Sequence, residues 1–341
     1  MIPPDGMSGL AVFSTLPQSS LPSSGADYHA HVREVARWSE DAGCQGVLIY
    51  SDNSLVDPWL LAQLVIDSTK RLAPLVAVQP IYMHPFAVAT MVASLAHLHG
   101  RRIYLNMIAG GFKNDLVALH DATPHDRRYD RLVEYTSLVM QLVQGDGPVT
   151  TSGDYYRVKN LQLVPPVPDD LVPGVFVSGS SDAGMQAARK LGAVAVKYPR
   201  PPQESAAEPP PADMVCGIRV GIIARDDAAK AWQVADERFP PDRKGQLTHE
   251  LAMKVSDSLW HRQLSQTASL AEPRGTYWLH PFETFKTFCP YLVGTYDEVG
   301  QELARYIALG YRTFILDWPA SEEELRHART AFGRAVAMTA P

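Results

Sequence analysis

The chain has 341 residues, 46% of them hydrophobic and 20% charged, with a formal net charge of −6. That balance describes a soluble globular protein long enough for one large barrel or two domains of about 150 residues, and it excludes the basic surface of a nucleic-acid binder. Three cysteines, Cys44, Cys216 and Cys289, stand far apart without CxxC spacing, which indicates neither a disulfide framework nor a zinc site and fits a reducing cytoplasm.

Short apolar runs alternate with segments of helical period along most of the chain. Leu10 to Ser14 reads as a strand, and Tyr28 to Ala42 as a helix with apolar residues at Val32, Val35, Ala36 and Trp38, closed by Gly43. Gly46 to Tyr50 is the next strand; helical Pro58 to Ser68 leads into strand Leu75 to Val78, and helical Pro85 to Leu98 into strand Ile103 to Met107. The beat continues through helix Tyr129 to Leu142, strand Val175 to Val177, helix Met185 to Leu191 and strand Ala193 to Val196. It resumes with strand Cys216 to Ala224 and ends with helix Tyr296 to Ala308, strand Thr313 to Leu316 and helix Ser321 to Val336.

Counting these runs gives eight strands in strand–loop–helix order, so the expected fold is α/β, a (β/α)8 TIM barrel with insertion segments, forming one domain over residues 1–341. Three stretches break the beat. Residues 147–166, with Gly153-Asp154-Tyr155-Tyr156 between two arms, read as a β-hairpin insertion. Residues 198–213, with six prolines, are expected as an exposed, partly disordered connection. Residues 239–290 are too long for a simple connection and are expected to form a lid or a subunit contact; their aromatics include Trp260, Tyr277, Trp278, Phe282, Phe285 and Phe288. Met1 to Gly6 carries no basic segment, and no apolar run approaches membrane-spanning length, so neither a targeting signal nor a membrane contact is expected.

The segment Val177-Ser178-Gly179-Ser180-Ser181-Asp182-Ala183-Gly184 runs from a strand end through small residues straight into a helix. It has two readings: an ordinary turn with a serine N-cap, or a phosphate seat made of bare helix N–H groups and two hydroxyls. Asn106-Met107-Ile108-Ala109-Gly110-Gly111 follows another strand, and His125 to Arg131 opens a later helix. The glycine pair is a turn or a close approach of backbone to a ligand. Arg219 falls inside a strand, where an inward charge is costly unless an anion or a carboxylate pairs with it.

In order and spacing, several of these motifs resemble the bacterial luciferase-like flavin-dependent monooxygenases, the alkanesulfonate monooxygenase-like branch in particular. The residues that carry the likeness are Gly43 to Ile49, Asn106 to Gly111, Arg128-Tyr129-Asp130-Arg131, Ser178 to Ser181, Gly217-Ile218-Arg219, Leu292-Val293-Gly294-Thr295 and Gly310 to Leu316. The resemblance spans nearly the whole length and implies a TIM barrel that takes reduced FMN from a separate NAD(P)H-dependent flavin reductase and reacts it with O2. It places Ser180 and Ser181 at the FMN phosphate with Tyr129 beside it, Asn106 facing the flavin ring, and Ala109, Ser178 and Gly179 among the other cofactor-binding residues. It implies catalytic roles for Arg219 and for Trp318, which stands where the family's sulfonate enzymes have an active-site tyrosine.

Two departures bear on the substrate. Leu55 stands where the sulfonate enzymes have a cysteine, and Gly221 where they have a histidine, which implies retained flavin chemistry without sulfonate recognition. Loop candidates for anion or acid–base contacts are His84, Arg274, His280 and Lys286; the two histidines also read as solvent-facing loop residues. The function implied is a cytoplasmic, homodimeric or homotetrameric two-component monooxygenase that oxygenates a small organic substrate, free or bound to a carrier protein, in secondary metabolism. Desulfonation, deazaflavin-dependent hydride transfer and non-catalytic flavin binding stay open as alternatives. No metal is implied.

Overall fold

A computed structural model of the protein describes residues 9–19, 25–110, 113–145, 147–255, 264, 265, 267 and 274–339. Eight parallel strands close into a barrel: β1 (Ala11–Thr15), β2 (Gly46–Ile49), β3 (Ala73–Val78), β4 (Tyr104–Met107), β7 (Gly174–Ser178), β8 (Val194–Lys197), β9 (Cys216–Arg225) and β12 (Thr313–Leu316). They pair in the order β1-β2-β3-β4-β7-β8-β9-β12, and β12 returns to β1 with Ala11 opposite Thr313. All eight coincide with the runs read from the sequence, because a parallel strand buried on both faces is a short unbroken apolar stretch.

Side chains along these strands divide by parity, as the two-residue repeat of a strand requires. Phe13, Leu48, Leu75, Tyr104, Phe176 and Ile315 belong to the cluster inside the barrel. Their neighbours Val12, Val47, Val76, Leu105, Val177 and Phe314 belong to the larger cluster under the surrounding helices. Phe13, Tyr104 and Phe176 meet edge to face with centroids 5.2 to 5.8 Å apart, and Gln45 Nε2 donates to the Tyr104 hydroxyl at 2.8 Å. This layer closes the barrel beneath its C-terminal end.

Helices start where strand-end loops supply caps. Asp57 and His84 each accept from the second residue after them, with Pro58 and Pro85 at the first helical position. Ser181 and Asp227 cap helices Asp182–Leu191 and Ala228–Arg238, and Thr295 with Glu298 forms a capping box for Tyr296–Ala308.

The interruptions take definite shapes. Between residues 147 and 166, β5 (Val149–Ser152) pairs antiparallel with β6 (Arg157–Leu161). The proline-rich segment differs from the exposed connection expected. Its first half contains helix Pro202–Ser205 with Pro202 and Ser205 buried; the carbonyl of Pro199 accepts from the Tyr277 hydroxyl at 2.7 Å and that of Arg200 from the Tyr306 hydroxyl at 2.6 Å. The Arg200 carbonyl also accepts from the Ser205 hydroxyl at 3.0 Å, so the segment is held by local and distant hydroxyls together.

The sequence count also missed a sheet extension. β9 pairs with β8 and β12 through its first half, and through Gly221 to Arg225 with β11 (Tyr291–Thr295), which pairs antiparallel with β10 (Tyr277–Trp278). Within 239–290 the described residues also form helix Arg243–Val255 and helix His280–Glu283. Trp260 lies outside the described residues.

Candidate functional site

The C-terminal ends of the barrel strands surround a cavity of about 210 Å³ floored by Leu48, Ala77, Val196 and Ile315. Three polar corners stand above that apolar floor.

At the end of β7, Ser178 Oγ donates to Asn106 Oδ1 at 2.8 Å, which leaves the Asn106 Nδ2 donor without a partner among the described residues. Gly179 follows, where an added Cβ would lie 2.3 Å from the Tyr129 hydroxyl; only glycine lets the chain pass beneath that ring. Ser181 Oγ accepts from Gly184 N at 3.2 Å and caps the next helix. Ser180 Oγ is buried with no hydrogen-bond partner among the described residues, although its residue lines the cavity. Burial pushes the Tyr129 phenol above its ordinary pKa, and a hydrogen bond with Ser181 moderates the rise. His125 and Arg128 complete this corner, with the His125 ring edge-on to Tyr129 at 5.3 Å. Hydroxyls, a helix N-terminus and a cationic side chain line this part of the cavity, a set of groups suited to a phosphate.

At the ends of β9 and β12 the polar groups engage one another. Arg219 Nη2 lies 3.0 Å from Asp317 Oδ1, its Nη1 donates to the Tyr198 hydroxyl at 3.3 Å, and its guanidinium stands over the Tyr50 ring at 4.8 Å. Asp317 Oδ2 accepts from Thr287 at 2.7 Å and from Tyr291 at 2.8 Å. Burial holds the phenols of Tyr198 and Tyr291 far above their ordinary pKa, so both remain donors. The inward space at Gly221 is filled by the Tyr291 ring, 2.3 Å from where a Cβ would stand.

The third corner lies past β2, β3 and β4, where Asp52, Gln79 and Asp115 line the cavity. Burial and then the charge of Asp52 raise the Asp115 carboxyl above its ordinary pKa. The phenol of Tyr82 is pushed up to about 12 by burial and by these two carboxylates.

Asn106, Ala109, Tyr129, Ser178, Gly179, Ser180, Ser181 and Arg219 therefore all line one cavity, as does Leu55. Trp318 does not. It packs on the far side of Asp317, with the Arg238 guanidinium 4.9 Å from its ring and Arg238 Nη2 donating to its carbonyl at 2.6 Å. None of the four loop candidates lines the cavity either. His84 caps a helix, Arg274 pairs with Asp236 at 2.7 Å, His280 stacks on Trp278, and Lys286 pairs with Asp242 at 2.6 Å. From the long insertion Phe288 reaches the cavity, whereas Tyr277, Trp278 and Phe282 are core residues. Gly110 lines it too, and Gly111 lies outside the described residues.

Tyr50, Gln79, Tyr198 and Asp317 escaped the sequence reading, yet a signal for them existed. Each continues the inward parity of its strand: Leu48 to Tyr50, Ala77 to Gln79, Val196 to Tyr198, Ile315 to Asp317. The same count sends Trp318 outward.

The family model of the luciferase-like monooxygenases matches residues 9–313. The chain is 33% identical over 301 residues to the 4-(gamma-L-glutamylamino)butanoyl-[BtrI acyl-carrier protein] monooxygenase BtrO of Niallia circulans, an alignment covering 86% of this chain and 88% of that protein. Among solved structures, the fold resembles EDTA monooxygenase from Chelativorans sp. BNC1 with a TM-score of 0.73 at 15% identity, covering 97% of this chain and 95% of that one. It also resembles the oxygenating constituent of 3,6-diketocamphane monooxygenase from Pseudomonas putida, a type II Baeyer-Villiger monooxygenase in complex with FMN, with a TM-score of 0.69 at 14% identity, covering 97% and 98%. With a closed barrel, a polar cavity at its C-terminal mouth and a family match across most of its length, the chain belongs to the luciferase-like monooxygenases.

Proposed function

We propose that this protein is the oxygenating component of a two-component monooxygenase: it takes reduced FMN from a separate NAD(P)H-dependent flavin reductase and inserts one oxygen atom of O2 into an acyl substrate held on a carrier protein. Reduced FMN supplies the electrons that activate O2 when bound. The observation that carries the reading is the β7 corner, where the buried and unpartnered Ser180 hydroxyl, the glycine under Tyr129 and the Ser181-capped helix make a seat for a phosphate. Asn106 Nδ2 offers a donor further into the cavity, beside Ala109, where the flavin ring would lie. The apolar floor keeps bulk water from the reacting end.

A carrier-bound substrate rests on the likeness to BtrO, whose name specifies an acyl group on an acyl-carrier protein. The inward space of Gly221 filled by Tyr291, and Leu55 on the cavity wall, support a substrate other than an alkanesulfonate. Three buried free cysteines fit a cytoplasmic setting.

Anaerobic titration with photoreduced FMN tests the cofactor, with oxidised FMN and a reduced deazaflavin in parallel. The expected result is saturable binding of reduced FMN, tighter than of the oxidised form. A stoichiometric yellow cofactor surviving purification, or binding of the deazaflavin alone, overturns it. Mass spectrometry of acylated carrier protein after turnover under 18O2 tests the substrate: one labelled oxygen is expected on the acyl group, and incorporation into the free acid but not the carrier-bound form overturns that part.

A further inference from the structure

We infer that the Asp52–Asp115 corner of the cavity receives a protonated amine of the substrate, so that the substrate class is an amino-bearing acyl chain. The inference deepens the oxygenase reading above and rests on it.

The cavity wall carries unlike polar groups. The side after β7 gathers hydroxyls, Arg128, a helix N-terminus and His125, which sits 2.7 Å from Asp126, whereas the loops past β2 and β4 present two carboxylates. An anionic group seated on the first side leaves the second for a cation.

The acidic corner is built from separate parts of the chain and tied together. Asn53 Nδ2 donates to the carbonyl of Asp115 at 3.1 Å, and the Tyr82 hydroxyl donates to Asn53 Oδ1 at 2.7 Å. Asp52 uses Oδ1 for Ser54 N and Oγ, both at 2.6 Å, and its Oδ2 has no hydrogen bond among the described residues. The Asp115 carboxylate has none, and among the described residues neither acid has a Lys, Arg or His partner. Two like charges brought together without a counterion repel, and the charge of Asp52 adds to burial in raising the Asp115 carboxyl.

Gln79 is the independent observation. The residue is 6% exposed, lines the same cavity, and its side chain makes no hydrogen bond among the described residues. An amide that opens on the cavity without a protein partner is available to a ligand. Its carbonyl with the two carboxylates gives three acceptors, one for each N–H of an ammonium group. A hard divalent cation takes six or more oxygen ligands, and no group of three His, Cys, Asp or Glu residues among the described ones is placed to hold a metal.

The test uses calorimetry on the purified protein with two matched pairs of probes: 5-aminopentanoyl-pantetheine against hexanoyl-pantetheine, and 5-aminopentanamide against hexanamide. In each pair a methyl group replaces the ammonium. The amine is expected to bind about tenfold or more tightly than its partner, the scale of a charge-assisted hydrogen bond. In the Asp52→Asn/Asp115→Asn variant that ratio should fall to about threefold or less, while affinity for the neutral probes and for reduced FMN stays unchanged. Equal binding within both pairs, or a variant that weakens amine and neutral probe alike, overturns the inference. Ammonium selectivity with no preference for the thioesters upholds it and overturns the carrier-protein reading. A preference for thioesters without ammonium selectivity does the reverse.

Discussion

The β7 corner and the β9–β12 corner border one cavity and handle buried polar groups in opposite ways. At β7 the Ser180 hydroxyl and the Asn106 amino group lack partners among the described residues, and backbone passes under Tyr129 without a side chain. At β9 and β12 the Asp317 carboxylate is saturated by Arg219, Thr287 and Tyr291. A polar group bonded to protein is architecture; one buried and left unbonded is held ready for something else. Arg219 belongs mainly to the first kind, because its best partner is Asp317, although its residue also faces the cavity.

Breaking the saturated corner should have the largest effect. Asp317→Ala strands a buried guanidinium and frees two phenol or hydroxyl donors, so unfolding stability should fall by about 3–5 kcal/mol in urea denaturation. The double variant Arg219→Met/Asp317→Leu should recover much of that loss. A single variant within about 1 kcal/mol of wild type would show that the pair is not structural.

The open corner should respond in ligand affinity rather than in stability. Ser181→Asp retains a good N-cap, so stability should change by less than about 0.5 kcal/mol. The new carboxylate faces the proposed phosphate, and affinity for reduced FMN should drop about a hundredfold in anaerobic titration. Unchanged affinity would move the phosphate elsewhere in the cavity.

The smallest and sharpest test is Ser180→Ala. Removing a buried hydroxyl that no described residue satisfies should leave thermal stability unchanged or raise it by about 1 kcal/mol, while affinity for reduced FMN falls about five- to tenfold. A variant that instead loses stability would put Ser180 with the saturated corner.

Strand and helix positions were legible in the sequence because the forces behind them are local. The alternation that sends Phe176 and Ser178 inward and Val177 outward, and the cap that Ser181 gives its helix, depend on residues within a few positions of one another. The same local logic marked the β7 turn and Asn106, which the barrel then brought together at 2.8 Å.

Partnerships were decided by closure of the barrel. Arg219 and Asp317 stand 98 positions apart, and nothing near either names the other; they meet because β9 and β12 are neighbours with Arg219 opposite Ile315. Tyr291 fills the space beside Gly221 because β11 pairs with the second half of β9, with Tyr291 opposite Gly221. Asp52, Gln79 and Asp115 reach one corner only when the ends of β2, β3 and β4 are drawn into one rim. A sequence fixes the direction of each side chain through the geometry of its own strand, but what it meets there depends on which distant strands become neighbours, and that is settled by packing the whole barrel.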